Sequence, residues 1–169
     1  LPHGFLGRRG GVSRGLVAHH YASKEGLLAA AYARMYSRLL AKVSRTEPGV
    51  PRIVSIIEDA FAAEEFSRPV LAIWLTLWGE AANNTGLRDE HRRHYDRYRS
   101  EVAAALSEQA VAAGRRIDAQ ALAMTLIALI DGLGVECVVD PEAVARTEAR
   151  AACYALAEAF LGPLPRPGG

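Results

Sequence analysis

The spacing of apolar positions along the chain predicts helices throughout. Near the start, apolar residues recur every three or four positions, the interval that places side chains on one face of a helix; they are Leu27, Leu28, Ala31, Met35, Leu39 and Val43. No stretch alternates apolar and polar residues with an enrichment in β-branched side chains, as a half-buried strand would. The expected fold class is therefore all-α, with helices at about 13–20, 23–43, 51–64, 68–83, 86–113, 118–138 and 140–161.

Residues that favour helix ends support several of these bounds. Ser13, Ser23 and Asp118 each precede a periodic segment and can accept a hydrogen bond from a first-turn amide. Asp140 followed by Pro141 predicts a capped start for the last helix. The closing "GPLPRPGG" cannot form a helix, so residues 162–169 are expected to be a disordered tail.

The two middle helices differ in their polar faces. Apolar residues occupy nearly every position from Val70 to Trp78, which predicts a helix buried on all sides with Trp74 and Trp78 on one face. The next helix is amphipathic; its apolar stripe is Leu87, His91, Tyr95, Tyr98, Val102 and Leu106. His91 and His94 are spaced for a metal site, but four neighbouring arginines favour a solvated helix face, and we expect no metal.

The last two helices carry more apolar surface than one chain easily covers. We interpret them as half of an intermolecular four-helix bundle across a two-fold axis; the residues expected at this homodimer interface are Leu122, Leu126, Leu129, Leu133, Leu156 and Phe160. The alternative is that both helices pack within the monomer. Asp131 and Glu136 interrupt the apolar run and favour a buried helix over a membrane span, and Asp131 is expected to have a raised pKa.

Charge is divided unevenly along the chain. The net charge is +1, but residues 1–45 hold eight Lys and Arg against one Glu, a charge of +7 that leaves −6 for the remainder. A polyanion partner for the first part explains this asymmetry, and a solvated basic face is the alternative. The two cysteines lie in apolar contexts without zinc spacing, and no basic-then-apolar leader is present. Both observations favour a reducing cytoplasm.

The stretch "GVSRGLVAHHYASKEGLL" (11–28) has the features of a helix that enters the DNA major groove. Ser13 begins a short helix, Gly15 keeps its surface slim, and basic residues follow. The residues expected to contact an operator in double-stranded DNA are Ser13, Arg14, Gly15, His19, His20, Tyr21 and Lys24. Arg14, His19, His20 and Lys24 are the candidates for phosphate contacts, and Arg14 is also the candidate for reading guanine.

This stretch resembles the helix-turn-helix of the TetR family of transcriptional regulators. The matching positions are Gly11, Val12, Ser13, Gly15, His19, Tyr21, Ser23, Lys24, Glu25, Leu27 and Leu28. Further on, "LAIWLTLWGEAANNTGLRDEHRRHYDRYRSEV" and "LIALIDGL" resemble the C-terminal domain of the BetI-type subgroup. The resemblance implies a DNA-binding region with its connecting helix at 1–45 and an effector-binding and dimerisation domain at 46–161. The family's first helix has no counterpart before Gly11, so the DNA-binding head is expected to be incomplete at its N-terminus.

The function that the resemblance implies is that of a dimeric, ligand-responsive transcription factor, usually a repressor that a small molecule releases from DNA. The residues expected to line the effector pocket are Trp74, Trp78, Glu80, Tyr95, Tyr98, Met124 and Asp131. Aromatics beside a carboxylate suit a cation, and the subgroup's namesake responds to choline, but a general apolar effector or a plain core are the alternatives. No cofactor is expected, and no catalytic arrangement is apparent. The alternative function is an all-helical binding module that has lost DNA binding.

Overall fold

The computed structural model describes residues 24–166, except for the side chain of Glu25. Within this range the regular elements are six helices, as the sequence predicts: α1 (Lys24–Val43), α2 (Arg52–Ala60), α3 (Arg68–Asn83), α4 (Thr85–Ala112), α5 (Ala119–Val139) and α6 (Arg146–Leu161). The helix expected at 13–20 lies outside the described residues.

The long helix α4 is the centre of the molecule and contacts each of the other five described helices. Its apolar stripe makes this possible, because Tyr98, Val102 and Leu106 are buried while the opposite side stays charged. Arg52 of α2 fixes one neighbour to it through ion pairs with Glu101 and Glu108, each at 2.9 Å. The amphipathic pattern of this helix is confirmed.

Side-chain caps set the starts of α4 and α5, and both starts lie within one residue of the predicted positions. The Leu87 amide donates to Asn84 Oδ1 at 3.1 Å, and the Ala121 amide donates to Asp118 Oδ1 at 3.0 Å. Each bond satisfies an amide that has no partner within its own helix. Between the two helices, Gly114 adopts φ of +63°, a conformation that favours glycine and ends α4.

Two predicted helix bounds are wrong. The second described helix ends at Ala60 rather than near residue 64, because the chain turns so that Phe61 and Phe66 both become buried, with ring centroids 4.9 Å apart. The last helix begins at Arg146, not at Asp140. Asp140 instead ends α5, where its amide donates to the Glu136 carbonyl at 2.8 Å, and its side chain accepts from the Glu142 amide in the turn that follows.

The segment after α6 packs against the helix as far as Arg166, so the expectation of a disordered tail is wrong for these residues. Leu164 is buried, and its amide donates to Glu158 Oε1 at 2.9 Å. Arg166 pairs with Glu158 at 2.8 Å and lies over the ring of Tyr154, 3.8 Å from its centroid. These contacts hold the segment against α6 because the arginine satisfies a carboxylate and an aromatic face together.

Helix α3 is not buried on all sides. Leu77 and Ala81 are its buried residues, whereas Ile73 is 46% exposed. The helix packs against α4 and α5, and Leu77 and Ala81 also cluster with Tyr32 and Tyr36 of α1. Several of its apolar side chains instead line the cavity described below.

Helix α5 leaves much of its apolar surface uncovered by its own chain. In the part of the chain that the structure describes, it is the one helix long and apolar enough to cross a membrane, a criterion that core helices of soluble proteins also meet. Leu122 and Leu126 face the monomer core and are almost fully buried, so they cannot form a dimer interface as expected. Leu129, Leu133 and Leu156 are half-buried, and Phe160 remains 49% exposed.

Candidate effector-binding cavity

A cavity of about 100 Å³ lies between α1, α3, α4 and α5, with the end of α2 and the following turn at its rim. Its walls are mainly apolar and include six aromatic rings, those of Tyr36, Phe66, Trp74, Trp78, Tyr95 and Tyr98. Concave sites with apolar walls and few polar groups are typical of small-molecule binding. Of the seven residues expected in the pocket, five line this cavity: Trp74, Trp78, Tyr95, Tyr98 and Asp131.

The aromatic wall arises from helical spacing on two helices. Trp74 and Trp78 are four residues apart on α3, and their ring centroids are 6.0 Å apart. On α4, Tyr95 and Tyr98 meet edge to face at 6.3 Å. Edge-to-face and tilted arrangements are the ones that aromatic pairs prefer, and Arg99 and His91 of the same helix also lie against the Tyr95 ring. The sequence revealed these residues because large aromatics recur at this spacing.

Asp131 supplies a carboxylate to the same wall. It lies on α5, and Tyr95 Oη donates to its Oδ2 at 3.3 Å. Burial raises the pKa of Asp131 to about 6, and the hydrogen bond from Tyr95 partly opposes this shift. The carboxylate is therefore mostly ionised above pH 7, in a setting where an occupant with a positive charge would partner it.

Helix α1 forms the wall that the sequence analysis missed. Tyr36, with Met35, Leu39 and Val43, lines the cavity, and the Tyr36 ring meets Trp74 edge to face at 4.9 Å. The stripe inferred for this helix is rotated from the true one, because Tyr32, Tyr36 and Leu40 are its most deeply buried residues together with Val43. The four-residue spacing of Tyr32, Tyr36 and Leu40 was the available signal.

The two histidines of α4 do not form a solvated face, because α1 covers them. Tyr36 Oη lies 3.3 Å from His91 Nδ1, and the Tyr36 ring stacks on His94 with centroids 5.3 Å apart. Burial lowers the pKa of His91, so this imidazole is neutral at pH 7. Within residues 24–166 no three potential ligands cluster as a metal site would require.

A set of ion pairs fixes the C-terminal half of α1 at the cavity rim. Arg38 and Lys42 both pair with Glu65, at 3.0 and 2.8 Å. Arg45, just beyond the helix, pairs with Asp59 at 3.1 Å. Glu65 and Asp59 belong to the turn after α2 and to α2 itself, so these pairs join α1 to the region that closes one end of the cavity.

Two residues expected in the pocket lie elsewhere. Met124 is 56% exposed, because Ala123, Leu126 and Ile127 take the buried face of α5. Glu80 does not line the cavity, and its Oε1 accepts a hydrogen bond from Lys24 Nζ at 2.9 Å. Glu80 is two residues beyond Trp78 and therefore lies on another face of α3, which is why its nearness in sequence was misleading.

Most of the residues expected to bind DNA lie outside the described part of the chain; they are Ser13, Arg14, Gly15, His19, His20 and Tyr21. Lys24 is described, as the first residue of α1. The described chain thus begins where the candidate DNA-binding stretch ends, and α1 runs directly from that point to the cavity wall.

Comparison with known proteins agrees with this architecture. Residues 49–162 match the family described as BetI-type transcriptional repressor, C-terminal. This chain belongs to the BetI-type family of TetR-like regulators. The matched range contains α2 to α6 and therefore every cavity wall except α1.

The relatives of this BetI-type chain are transcriptional regulators. The HTH-type transcriptional regulator BetI of Paraburkholderia phytofirmans is 32% identical over 133 residues, which are 76% of this chain and 66% of that protein. The chain thus spans just under two thirds of the length of the curated relatives it matches. A transcriptional regulator from Pseudomonas aeruginosa PAO1 superposes with a TM-score of 0.76 at 31% identity, over 88% of this chain and 74% of that one. A TetR-family regulator from Rhodococcus sp. superposes with a TM-score of 0.75 at 26% identity, over 89% and 82%.

Proposed function

We propose that the protein is a dimeric, ligand-responsive DNA-binding regulator of transcription that represses until a small molecule releases it from its operator. One observation carries this proposal: α1 forms a wall of the aromatic cavity and also continues directly from the candidate DNA-binding stretch. An occupant that displaces Tyr36 therefore acts on the helix that positions the DNA-binding residues. The operator is DNA, and the protein accordingly works in the cytoplasm.

The length of α1 gives it leverage. Its 20 residues span about 30 Å, so a rotation of about 10° around the ion-paired end moves Lys24 by about 5 Å. Two recognition helices of a dimer must lie about 34–36 Å apart to enter successive major grooves. A shift of this size disrupts that spacing. An effector that prefers the non-binding state by about 1–3 kcal/mol lowers DNA affinity about 5–150-fold.

The cavity favours an effector that combines an apolar body with a positive charge. Aromatic ring faces attract cations, and the buried Asp131 carboxylate gives the charge a partner. A neutral ligand of the same shape would fill the same space but bring no counter-charge to the carboxylate. The family's namesake motivates choline as the first compound to test.

Intrinsic fluorescence tests the effector class directly, because the chain has two tryptophans and both line the cavity. Titration with choline should quench or shift the emission, whereas 3,3-dimethylbutan-1-ol, its uncharged analogue of the same shape, should bind more weakly. The variant Asp131→Asn should reduce this preference for charge. Equal responses to both compounds would favour a general apolar effector pocket.

Fluorescence anisotropy with the gene's own upstream DNA tests the regulatory role. Binding should weaken steeply as salt rises, because phosphate contacts release counterions. Arg14→Ala combined with Lys24→Ala should nearly abolish it. A protein that binds a ligand but shows no salt-sensitive preference for this DNA over unrelated DNA would instead be the effector-binding module without DNA binding.

A further inference from the structure

A single ion pair connects the start of α1 to α3. Lys24 Nζ donates to Glu80 Oε1 at 2.9 Å, across 56 positions of sequence. Among the residues that the structure describes, Lys24 is the one ion-pair partner of Glu80. The lysine is also the last of the residues assigned to DNA contact in the proposed function.

We propose that Glu80 competes with a DNA phosphate for Lys24, so that the ion pair is an autoinhibitory contact between the effector domain and the DNA-binding end. The inference rests on the proposed function, because it requires Lys24 to contact DNA. Carboxylate and phosphate oxygens both accept hydrogen bonds from an ammonium group. A bond to Glu80 therefore uses a donor that a phosphate could take, and the carboxylate also repels the phosphate.

The exposure of the pair determines the size of the effect. The Lys24 side chain is 62% exposed, and that of Glu80 is 36% exposed. Exposed ion pairs are weak and are screened by salt, so DNA can break this one readily. Removing the carboxylate should accordingly change DNA affinity by about two- to fivefold, and less as the salt concentration rises.

The position of Glu80 links this contact to the cavity. Glu80 follows the cavity-lining Trp78 by two residues on the same helix, and Trp74 and Leu75 line the cavity as well. An occupant that displaces the indole of Trp78 shifts this end of α3 and therefore the carboxylate. Losing the pair frees Lys24 for DNA, so this route opposes the release that an occupant causes through the Tyr36 wall of α1.

A thermodynamic cycle on the full chain tests the proposal. The variants are Glu80→Gln, Lys24→Gln and the double variant, with affinity for the gene's upstream DNA measured by anisotropy at 50 mM and 200 mM salt. Glu80→Gln should bind about two- to fivefold more tightly than wild type at low salt. In the Lys24→Gln background the same change should have no effect, because the competing partner is gone.

Asp89→Asn is the matched control, since it removes one exposed negative charge close to the start of α4, near the C-terminal end of α3, and Asp89 pairs with Arg92 rather than with Lys24. An increase in affinity that persists in the Lys24→Gln background, or one that Asp89→Asn reproduces, would reduce the effect to general electrostatics and overturn the inference. Unchanged affinity in Glu80→Gln, with wild type binding normally, would also overturn it. If neither binds this DNA, the proposed function fails and the inference with it.

Discussion

At the scale of single residues, Asp131 shows how a binding group costs stability. Its carboxyl is buried in the aromatic wall, and its pKa is raised from 3.8 to about 6. The folded chain therefore holds a proton more tightly than the unfolded chain. It follows that stability falls as pH rises from about 4 to about 6 and stays at the lower level above that range. A cationic effector would compensate for this cost when bound.

Replacing Asp131 by Asn should raise the free energy of unfolding of the ligand-free protein at neutral pH. Asn keeps an oxygen that can accept from Tyr95 but carries no charge to desolvate. We expect the free energy of unfolding to rise by up to about 3 kcal/mol at pH 7.5 and the gain to shrink towards zero near pH 4. Urea unfolding at several pH values measures this difference. The exposed Asp89→Asn variant is the control, and a gain independent of pH would contradict the prediction.

At the scale of helices, the sequence predicted where most helices begin and end better than it predicted which face of each helix is buried. The start of α5 was found because Asp118 marks a helix start by local chemistry, and Pro69 and Asn84 have the corresponding positions at the starts of α3 and α4. Asp140 misled because its side chain does accept a local hydrogen bond, but in a turn that precedes the helix. The residue at which α6 begins depends on where the helix packs, and the sequence around Asp140 does not determine that packing.

The residues that line the cavity show the same limit of prediction from sequence. Trp74, Trp78, Tyr95 and Tyr98 were recognisable because large aromatics recur at helical spacing, whereas Tyr36 was overlooked beside Met35. Spacing predicts which residues share a face, but it does not say which face a neighbouring helix will cover. The apolar stripe predicted for α1 is shifted by one position from the buried stripe, so most of its residues are half-buried.

The ion pairs at Glu65 give α1 one firmly held end. Glu65→Gln should leave Arg38 and Lys42 without their carboxylate and loosen the last two turns of the helix. Since the cations are at least partly exposed, we expect a loss of only about 0.5–1 kcal/mol of global stability. Amide hydrogen exchange should nonetheless quicken in the C-terminal half of α1. Glu64→Gln, at an exposed neighbouring position, should leave the exchange pattern unchanged, and equal effects would contradict the anchoring role.

At the scale of the whole molecule, α5 and α6 present an outer face of small and apolar side chains. On α5 one exposed stripe recurs every three or four positions; it includes Ala121, Met124, Ala128 and Gly132 and continues to Glu136. On α6, Ala151, Ala155 and Ala159 are exposed at intervals of four. Small residues allow close approach of helices from a second copy. We therefore propose this face, rather than the core-facing leucines, as the interface of the homodimer.

A charge placed on this face should separate the dimer. Ala128→Arg puts a long cation where two copies of α5 would pack, and an unpaired charge buried in an interface is strongly destabilising. Light scattering after gel filtration should report a monomer, and binding to the upstream DNA should fall because one head alone contacts one half-site. Val111→Arg is the control, since Val111 is 78% exposed on α4. A folded Ala128→Arg variant that remains dimeric would show that the two copies meet elsewhere.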